Sequence, residues 1–392
     1  MTKEIKVCEV CHNKKMHNVL NLGLHPLCDD LIGLNEDRVC REFPIEILFC
    51  KRCLTAHQRF QVSKKLLFHP DYHYRARMTG SVLSGMKDFV EGCEKNFGSL
   101  KNKTVLDIGC NDGSLLNFFK EKGSNTYGIE PTDAALDSKH ETYNMFFDKK
   151  TALLIQKKIK KIDFITFTNV FAHIENLTEL IKNIKLISSK ETKLIIENHY
   201  LGAIFKNSQF DTFYHEHPRT YSLSSFKFIA KSLKKEILDF QFVSRYGGNI
   251  RVFIGDGSKS SKTKKENKFY DNFLKLSKSM NKWITSTKKK INELNKVYGP
   301  VNAKAFPGRA AILIKLLNLN TNHIKAVYEI KGSRKVYHYV PGTKIPILPE
   351  KELYKQNSNK PILNLAWHIA DEVEKNLKKN GFIGKIINIK EF

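Results

Sequence analysis

Thr104-Val-Leu-Asp-Ile-Gly-Cys-Asn-Asp-Gly113 is the stretch that decides the fold of this 392-residue chain. Its first half is apolar apart from Asp107, as in a buried strand, and residues 115–122 that follow have helical periodicity. Glycines between a strand and a helix let backbone amides approach a ligand closely, and the positive end of the helix favours anionic groups. The stretch therefore predicts a ligand-binding turn.

Similar apolar segments lie on both sides of this stretch. Strands are predicted at 126–130, 163–168, 193–197, 236–243 and 249–255, and helices at 80–97, 115–122 and 177–188. Buried strands that alternate with helices predict an α/β fold with a doubly wound, Rossmann-like parallel sheet. The last two strands are expected to form a hairpin-like edge.

The turn has the pattern D-x-G-x-x-x-G, whereas a dinucleotide fold would have G-x-G-x-x-G. Glu130 ends the second predicted strand, where a carboxylate can accept hydrogen bonds from both hydroxyls of a ribose. Together these features favour a nucleoside cofactor over a purely structural turn, and they resemble the first two motifs of class I S-adenosylmethionine methyltransferases. The predicted cofactor-binding residues are Asp107, Gly109, Asn111, Asp112, Gly113, Glu130 and Asn169.

Four of the eight cysteines form two Cys-x-x-Cys pairs, Cys8 with Cys11 and Cys50 with Cys53. Two such pairs supply four thiolates, which complete the tetrahedral shell of a structural zinc ion and leave no position open for water. We therefore predict one structural zinc site, in preference to a redox motif.

A second group of reactive side chains lies in Phe210-Asp-Thr-Phe-Tyr-His-Glu-His217. Packing does not explain so many of them within eight residues, and we predict an acid–base site. A satisfied polar loop and a second metal site remain open as alternatives, although the chain has no H-E-x-x-H helix. His173 follows the third strand of the sheet, where doubly wound sheets bind ligands, but a structural role for it is equally open.

The composition limits the class of protein. There are 66 basic and 40 acidic residues, but 55 of the basic residues are lysine, which indicates a lysine-favouring composition and not a nucleic-acid surface. The mean hydropathy is −0.39, no run of 18 apolar residues predicts a membrane span, and the first residues, Met1-Thr-Lys-Glu-Ile-Lys, do not have the pattern expected of a signal peptide. We therefore expect a cytoplasmic protein that binds neither membrane nor nucleic acid.

Taken together, the motifs resemble the nucleotide-sugar C-methyltransferases of deoxysugar biosynthesis over essentially the whole chain. The resemblance is carried by the paired Cys-x-x-Cys head, I-G-C-N-D-G, N-V-x-A-H, F-D-T-x-Y-H-E-H, G-G-N-I-R at 247–251, P-G-T-K-I-P-I from 341 and L-A-W at 365–367. It implies a zinc-binding domain at 1–70, a methyltransferase domain at 71–256, a helical connector at 257–299 and a Rossmann-like α/β substrate-binding domain at 300–392.

The resemblance also implies a reaction. It is the S-adenosylmethionine-dependent methylation of C-3 in a dTDP-linked 4-keto-6-deoxy sugar, through an enolate generated by a base. Carried over position by position, His217 is the general base, and Tyr214, Glu216 and His173 line the same site. A tyrosine after the zinc domain also belongs there, for which we choose Tyr72, with the nearby Tyr74 as the alternative. The implied cofactors are S-adenosylmethionine and structural zinc, and the oligomeric state is monomer or dimer.

The sequence departs from the family pattern at 75–79, at 218–220 and at 306–310, which puts the identity of the sugar in doubt. Two rival functions are a zinc-containing RNA methyltransferase and a non-catalytic zinc scaffold. Against the RNA methyltransferase, the sequence has no RNP-type aromatic motif. Against the second stand Asp107, Gly109, Gly113 and Glu130, which are intact.

Overall fold

The N-terminal segment consists of short strands joined by turns. In the computed structural model, which describes residues 2–68, 70, 72, 74–356 and 359–391, these elements are β1 (Thr2–Glu4), β2 (His17–Pro26), β3 (Ile32–Gly33), β4 (Glu42–Cys50), β5 (Thr55–Gln58), β6 (Phe60–Val62) and the short helix α1 (Lys64–Leu67). β1 pairs antiparallel with β6, and residues 47–50 of β4 pair with β5. This pairing brings the two Cys-x-x-Cys segments close together.

The central segment alternates strands and helices, as predicted. Its elements are α2 (Gly80–Phe97), β7 (Thr104–Ile108), α3 (Ser114–Glu121), β8 (Asn125–Ile129), β9 (Glu141–Tyr143), α4 (Lys149–Lys158), β10 (Phe164–Thr168), α5 (Leu177–Ile187), β11 (Lys193–His199), α6 (Leu201–Lys206), β12 (Arg219–Thr220), α7 (Leu223–Ser232), β13 (Glu236–Val243) and β14 (Asn249–Gly255). The strand order is β13-β14-β11-β10-β7-β8-β9, with β7 to β11 parallel and β13 and β14 antiparallel at one edge. This confirms the doubly wound sheet.

The order of the strands determines where a ligand can bind. The chain begins the sheet at β7, continues outward through β8 and β9, and then returns to β10 on the other side of β7. Ligands of doubly wound sheets bind at the carboxyl ends of the strands beside such a reversal. The loops after β7, β8, β10 and β11 therefore border the candidate site.

The C-terminal segment forms a second parallel sheet. Its elements are α8 (Phe269–Tyr298), β15 (Val301–Lys304), α9 (Ala310–Leu317), β16 (Ile324–Glu329), β17 (His338–Tyr339), β18 (Ile347–Pro349), α10 (Glu350–Lys355), β19 (Ile362–Asn364), α11 (Ala370–Lys379) and β20 (Ile386–Asn388), and the sheet order is β18-β16-β15-β19-β20. The lysine-rich segment from 259 to 297 also predicts a helix, but the helix begins only at Phe269, because the polar residues 258–265 offer no apolar side chain to bury. In the described part of the chain, no helix is long and apolar enough to cross a bilayer.

The chain divides into two compact units. The first unit comprises Met1–Asn18, Ile47–Asn207 and Glu216–Tyr270, and the second comprises Val19–Glu46, Ser208–His215 and Asp271–Phe392. Each unit is described below by itself.

In the first unit, a buried carboxylate connects the sheet to helix α2. Glu197 of β11 is fully buried and accepts hydrogen bonds from Arg245 Nε at 2.9 Å, Arg251 Nε at 2.8 Å and Asn249 Nδ2 at 3.1 Å. The same arginines reach α2, where Arg251 donates to Asp88 Oδ2 at 2.9 Å. A buried charge is very unfavourable unless it is paired and hydrogen-bonded, and this network meets both conditions.

Two glycines of α2 make room for these arginines. A Cβ atom at Gly85 would lie 2.7 Å from Arg245 Cδ, and one at Gly92 would lie 3.0 Å from Arg251 Nη1. Since the guanidinium groups are fixed by Glu197, they cannot move aside freely. The glycines thus set the distance between α2 and the sheet.

We predict that Gly85→Ala lowers the free energy of unfolding by about 1–3 kcal/mol, the usual effect of overpacking a core. Alanine favours a helix by about 1 kcal/mol over glycine, so helix propensity alone would give the opposite sign. Urea unfolding should be compared with the matched variant Ser84→Ala on the exposed side of α2, for which we expect no loss. An unfolding midpoint for Gly85→Ala at or above that of the wild type would contradict this packing.

Candidate active site and metal centre

The turn after β7 is fixed by glycines in the left-handed region. Gly109 has φ 75° and Gly113 has φ 77°, and a Cβ atom at Gly109 would lie 2.5 Å from the side chain of Val170. Asn111 between them has φ 50°. Residues with a side chain rarely adopt such angles at low energy, so the sequence of this turn follows from its shape.

Glu130, which follows β8, is bonded to the backbone on both sides of the turn. Its Oε2 accepts from Asn111 N at 3.0 Å, and its Oε1 accepts from Thr132 N at 2.9 Å and Thr132 Oγ1 at 2.7 Å. Burial raises the pKa of this carboxyl group, and the hydrogen bonds from Thr132 and Asn111 act in the opposite direction. Since a carboxylate offers about four acceptor positions, a ligand hydroxyl can still be accepted.

The two aspartates of the turn hold the polypeptide in place. Asp107 is buried, accepts from Thr166 Oγ1 at 2.7 Å and thereby connects β7 with β10, and its burial raises its pKa to about 7. Asp112 accepts from Ser114 Oγ at 2.6 Å and from Arg77 N at 3.0 Å. These contacts give both residues a part in the shape of the turn.

A strap formed by residues 74–77 crosses the same turn. Ala76 N donates to Asn111 Oδ1 at 2.9 Å, and Asn111 Nδ2 donates to Tyr74 O at 3.1 Å. Arg75 is buried and donates to Asp137 Oδ2 at 2.7 Å. The side chain of Asn111 is thus occupied by the strap, while its backbone amide contacts Glu130.

Three imidazole rings lie together at the carboxyl ends of β10 and β11. The centroid of His217 lies 5.0 Å from that of His173, with the rings 29° from parallel, and 5.0 Å from that of His199. His173 also stacks on Phe68 at 5.4 Å. Burial, followed by the nearby His217, lowers the pKa of His173 well below its usual value, so His173 is neutral at neutral pH.

Tyrosines border this histidine cluster. Tyr72 donates its hydroxyl to Glu216 Oε2 at 3.1 Å. The hydroxyl groups of Tyr74 and Tyr246 lie 2.8 Å apart, and the Tyr246 ring is 5.8 Å from that of His199. The structure thus brings His173, Glu216, His217 and Tyr72 together in the first unit, with Tyr74 nearby.

Asn169, the remaining predicted cofactor residue, follows β10 with φ 57°. Its side chain accepts from Asn249 Nδ2 at 2.9 Å, and its backbone amide donates to Glu197 O at 2.7 Å. It therefore connects the end of β10 with β11 and with the start of β14.

The other half of the polar cluster at 210–217 belongs to the second unit. His215 contacts Phe43 O through Nε2 at 3.1 Å, and its burial lowers its pKa to about 4. Asp211 is fully buried and accepts from Arg309 Nε at 2.9 Å and Trp367 Nε1 at 2.8 Å. Tyr214 is half-buried in this unit. Asp211 and His215 thus hold their own unit together.

Some residues of the site were not found from the sequence. His199 ends β11 as His173 follows β10, so the rule that ligands bind at strand ends could have identified it. Tyr246 and Thr132 gave no such signal. Tyr246 is itself a loop residue with a left-handed φ of 55°, and its hydroxyl partner Tyr74 is 172 positions away in the sequence.

The four predicted zinc ligands form one buried cluster. Their sulfur atoms all lie within 4.8 Å of one another, with Cys8 Sγ 3.4 Å from Cys53 Sγ and Cys11 Sγ 3.5 Å from Cys50 Sγ. A Zn–S distance of about 2.3 Å requires tetrahedral sulfur atoms to be about 3.8 Å apart, so the donor set fits zinc.

The two cysteine turns have the same geometry. His12 N donates to Cys8 O at 2.9 Å, and Leu54 N donates to Cys50 O at 2.8 Å. His12 and Leu54 adopt left-handed φ values of 58° and 57°. The two turns thus present their thiolates in matching fashion, as a closed structural metal site requires.

We predict that the purified chain holds one zinc ion and that Cys50→Ser loses it, together with a lower melting temperature, because three thiolates leave the shell incomplete. Metal analysis and thermal unfolding measure the two effects. Cys40→Ser is the matched control, since Cys40 lies outside the cluster and should keep the metal. Freshly purified protein without zinc would disprove the assignment.

Three domain families match consecutive parts of the chain. They are a putative zinc binding domain at residues 8–68, a methyltransferase domain at 82–237 and a C-methyltransferase C-terminal domain at 245–387. These matches confirm the predicted order of a zinc-binding domain, a methyltransferase domain and a further C-terminal domain, while the predicted boundaries stay a prediction.

One curated protein is similar to part of this chain. The C-methyltransferase NovU of Streptomyces niveus is 28% identical over 259 residues, which are 64% of this chain and 61% of NovU. The chain thus spans about three fifths of the length of this curated relative.

Solved structures resemble the chain only weakly. The magnesium protoporphyrin IX methyltransferase ChlM of Synechocystis PCC 6803 is 13% identical, with 44% of this chain and 81% of ChlM covered and a TM-score of 0.34. An S-adenosylmethionine-dependent methyltransferase of Clostridium acetobutylicum is 18% identical, with 45% and 92% covered and a TM-score of 0.34. Scores this low carry no weight for function.

Proposed function

Because the chain combines these three domains, we propose that it is an S-adenosylmethionine-dependent C-methyltransferase of the cytoplasm. Its substrate is a 4-keto-6-deoxy sugar linked to a nucleotide, dTDP, and the methyl group is added to C-3. The observation that carries this proposal is the histidine cluster at the carboxyl ends of β10 and β11, in the same parallel sheet in which β7 and β8 end in the glycine turn and Glu130.

The residues around the turn fit the proposed cofactor. Glu130 accepts a ribose hydroxyl at its remaining acceptor position, and the narrow turn at Gly109–Gly113 admits the methionine part close to backbone amides. When bound, S-adenosylmethionine supplies an electrophilic methyl group. The neighbouring Asn169 lies at the strand end through which cofactor and sugar would meet.

The chemistry requires a base, because a sugar carbon is not nucleophilic while it carries its proton. The 4-ketone makes the C-3 proton acidic, since the negative charge spreads onto the ketone oxygen. His217 removes this proton, as an imidazole works near neutral pH. Glu216 holds the Tyr72 hydroxyl through a hydrogen bond of 3.1 Å, and when the sugar binds, this hydroxyl turns its one proton from Glu216 to the enolate oxygen.

His173 supports the proton transfer by remaining uncharged. Its lowered pKa means that the imidazolium formed at His217 faces a neutral ring and not a second positive charge. The stack on Phe68 fixes the orientation of His173. A fixed His173 in turn helps to position His217, and a base held in the correct orientation transfers the proton faster.

We predict that Glu130→Ala weakens S-adenosylmethionine binding about 5- to 150-fold, equivalent to about 1–3 kcal/mol for a ligand hydroxyl left without an acceptor. Calorimetry measures the change. Glu141→Ala removes an exposed carboxylate from β9 and serves as the matched control, which should bind normally. Wild-type affinity in the Glu130 variant would contradict the cofactor site.

The proposed function is tested with methyl donor and a panel of 4-keto nucleotide sugars, read by mass. A gain of one methyl group supports it, and no product with any member of the panel contradicts it.

Proton removal is tested separately in deuterium oxide without methyl donor, where the wild type should exchange the C-3 hydrogen. We predict that His217→Asn lowers the exchange rate by about 100- to 10,000-fold, the usual contribution of a general base.

His215→Asn is the control for this experiment. His215 is two positions away in sequence, but it holds Phe43 in the second unit, so exchange and turnover should persist. Exchange retained in His217→Asn would assign the base to another residue of the cluster. Complete loss in both variants would leave the choice of His217 unsupported.

A further inference from the structure

Arg219 contacts two parts of the first unit. One is the turn Cys8–Cys11 of the predicted zinc site, here called the metal knuckle, and the other is the segment that follows His173 of the histidine cluster. Arg219 begins β12, two residues after His217, and its side chain is fully buried in the first unit. β12 pairs antiparallel with β5, so that Arg219 lies opposite His57. The proposed mechanism gives this residue no role, and a buried guanidinium group needs one because its burial is unfavourable.

One end of the guanidinium group contacts the metal knuckle. Arg219 Nη1 donates to Glu9 Oε2 at 2.5 Å. Glu9 lies between Cys8 and Cys11, and Gln61 Nε2 also donates to the same oxygen at 2.9 Å. The position of Glu9 is therefore set by the two cysteines that flank it.

The other contacts of Arg219 lead to the histidine cluster. Nη2 donates to Ile174 O and Nη1 to Glu175 O at 3.3 Å, and these carbonyl groups directly follow His173. Nε donates to Tyr221 Oη at 2.9 Å. The rigid guanidinium group of Arg219 thus binds both the metal knuckle and the segment after His173. The backbone of Arg219 itself continues the segment that carries His217.

We propose that Arg219, held by Glu9, is a positioning residue that transmits the geometry of the metal knuckle to the stacked pair His173 and His217. This inference rests on the proposed function. The planar fork of arginine holds several acceptors in fixed directions, which the flexible ammonium group of lysine does not do. A buried ion pair contributes little net stability compared with apolar packing, so its effect on geometry is its distinctive contribution.

The decisive variant is Glu9→Gln, which keeps the size of the side chain and an acceptor for Gln61 but removes the charge opposite Arg219. We expect kcat and the rate of C-3 exchange in deuterium oxide to fall about 10- to 100-fold, the effect of a lost supporting contact. The zinc content and the Kd for S-adenosylmethionine should stay at wild-type values. Backbone amide exchange, followed by mass, should rise in residues 171–176 and 216–222.

The matched control is Glu4→Gln. Glu4 belongs to the same N-terminal segment and pairs with Arg59 at 2.9 Å, but both side chains of that pair are 37% exposed. Its loss should change neither kcat nor the amide exchange of those segments. Arg219→Lys is the second variant and should show the same pattern, so that the inference can still be tested if Glu9→Gln folds poorly.

The outcomes separate the inference from the proposed function. If the wild type methylates no sugar, the function fails, while the amide exchange of Glu9→Gln still reports whether the knuckle fixes the two segments. Wild-type kcat and wild-type amide exchange in both variants would overturn the inference. Loss of zinc and of cofactor binding in parallel with kcat in both would also overturn it, since the ion pair would then serve folding in general.

Discussion

The buried carboxylate of Glu197 is the constraint on which the first unit depends. It lies at the carboxyl end of β11, where neighbouring loops must form a site, and it has to be neutralised by charges from elsewhere in the chain. Arg245 and Arg251 meet this need and thereby fix the loop 245–249. That loop places Tyr246 against His199 and Asn249 against Asn169. The same interaction that makes the core tolerable thus sets the border of the candidate active site.

Buried arginines pair with carboxylates at several places in the chain, whereas most of the positive charge comes from lysine. Among the described residues, the buried cationic side chains are Arg75, Arg219, Arg245, Arg251, Arg309 and Lys304. The lysines that account for most of the 66 basic residues are therefore largely at the surface. Buried arginines each bind a carboxylate and at least one further acceptor, as Arg309 does with Asp211 and Thr212. The buried arginines therefore have structural partners and the surface lysines are solvated, so that neither group requires a nucleic acid to explain it.

The sequence predicted what depends on local pattern. The strands, the glycine turn and the cysteine cluster follow from periodicity, from backbone angles that favour glycine and from ligand spacing, and the structure has all three. It did not predict how the residues at 210–217 divide, because Asp211 is fixed by Arg309 and His215 by Phe43, which are 98 and 172 positions away. The start of helix α8 was missed for the opposite reason, since the lysines before it resemble a solvated helical face. The roles of the predicted site residues remain predictions.

The stacked imidazoles combine two requirements that usually conflict. A base that removes a proton from carbon must be shielded from water, yet shielding disfavours the charge that it acquires. For His173, burial lowers the pKa so far that the ring stays neutral, and His217 is 3% exposed beside it. A neutral aromatic neighbour removes the electrostatic penalty that a second cation would impose, while Glu216, next in the chain, brings a carboxylate to the same cluster. On the proposed function, the enclosed His217 therefore takes up the proton beside a neutral ring and not beside a second cation.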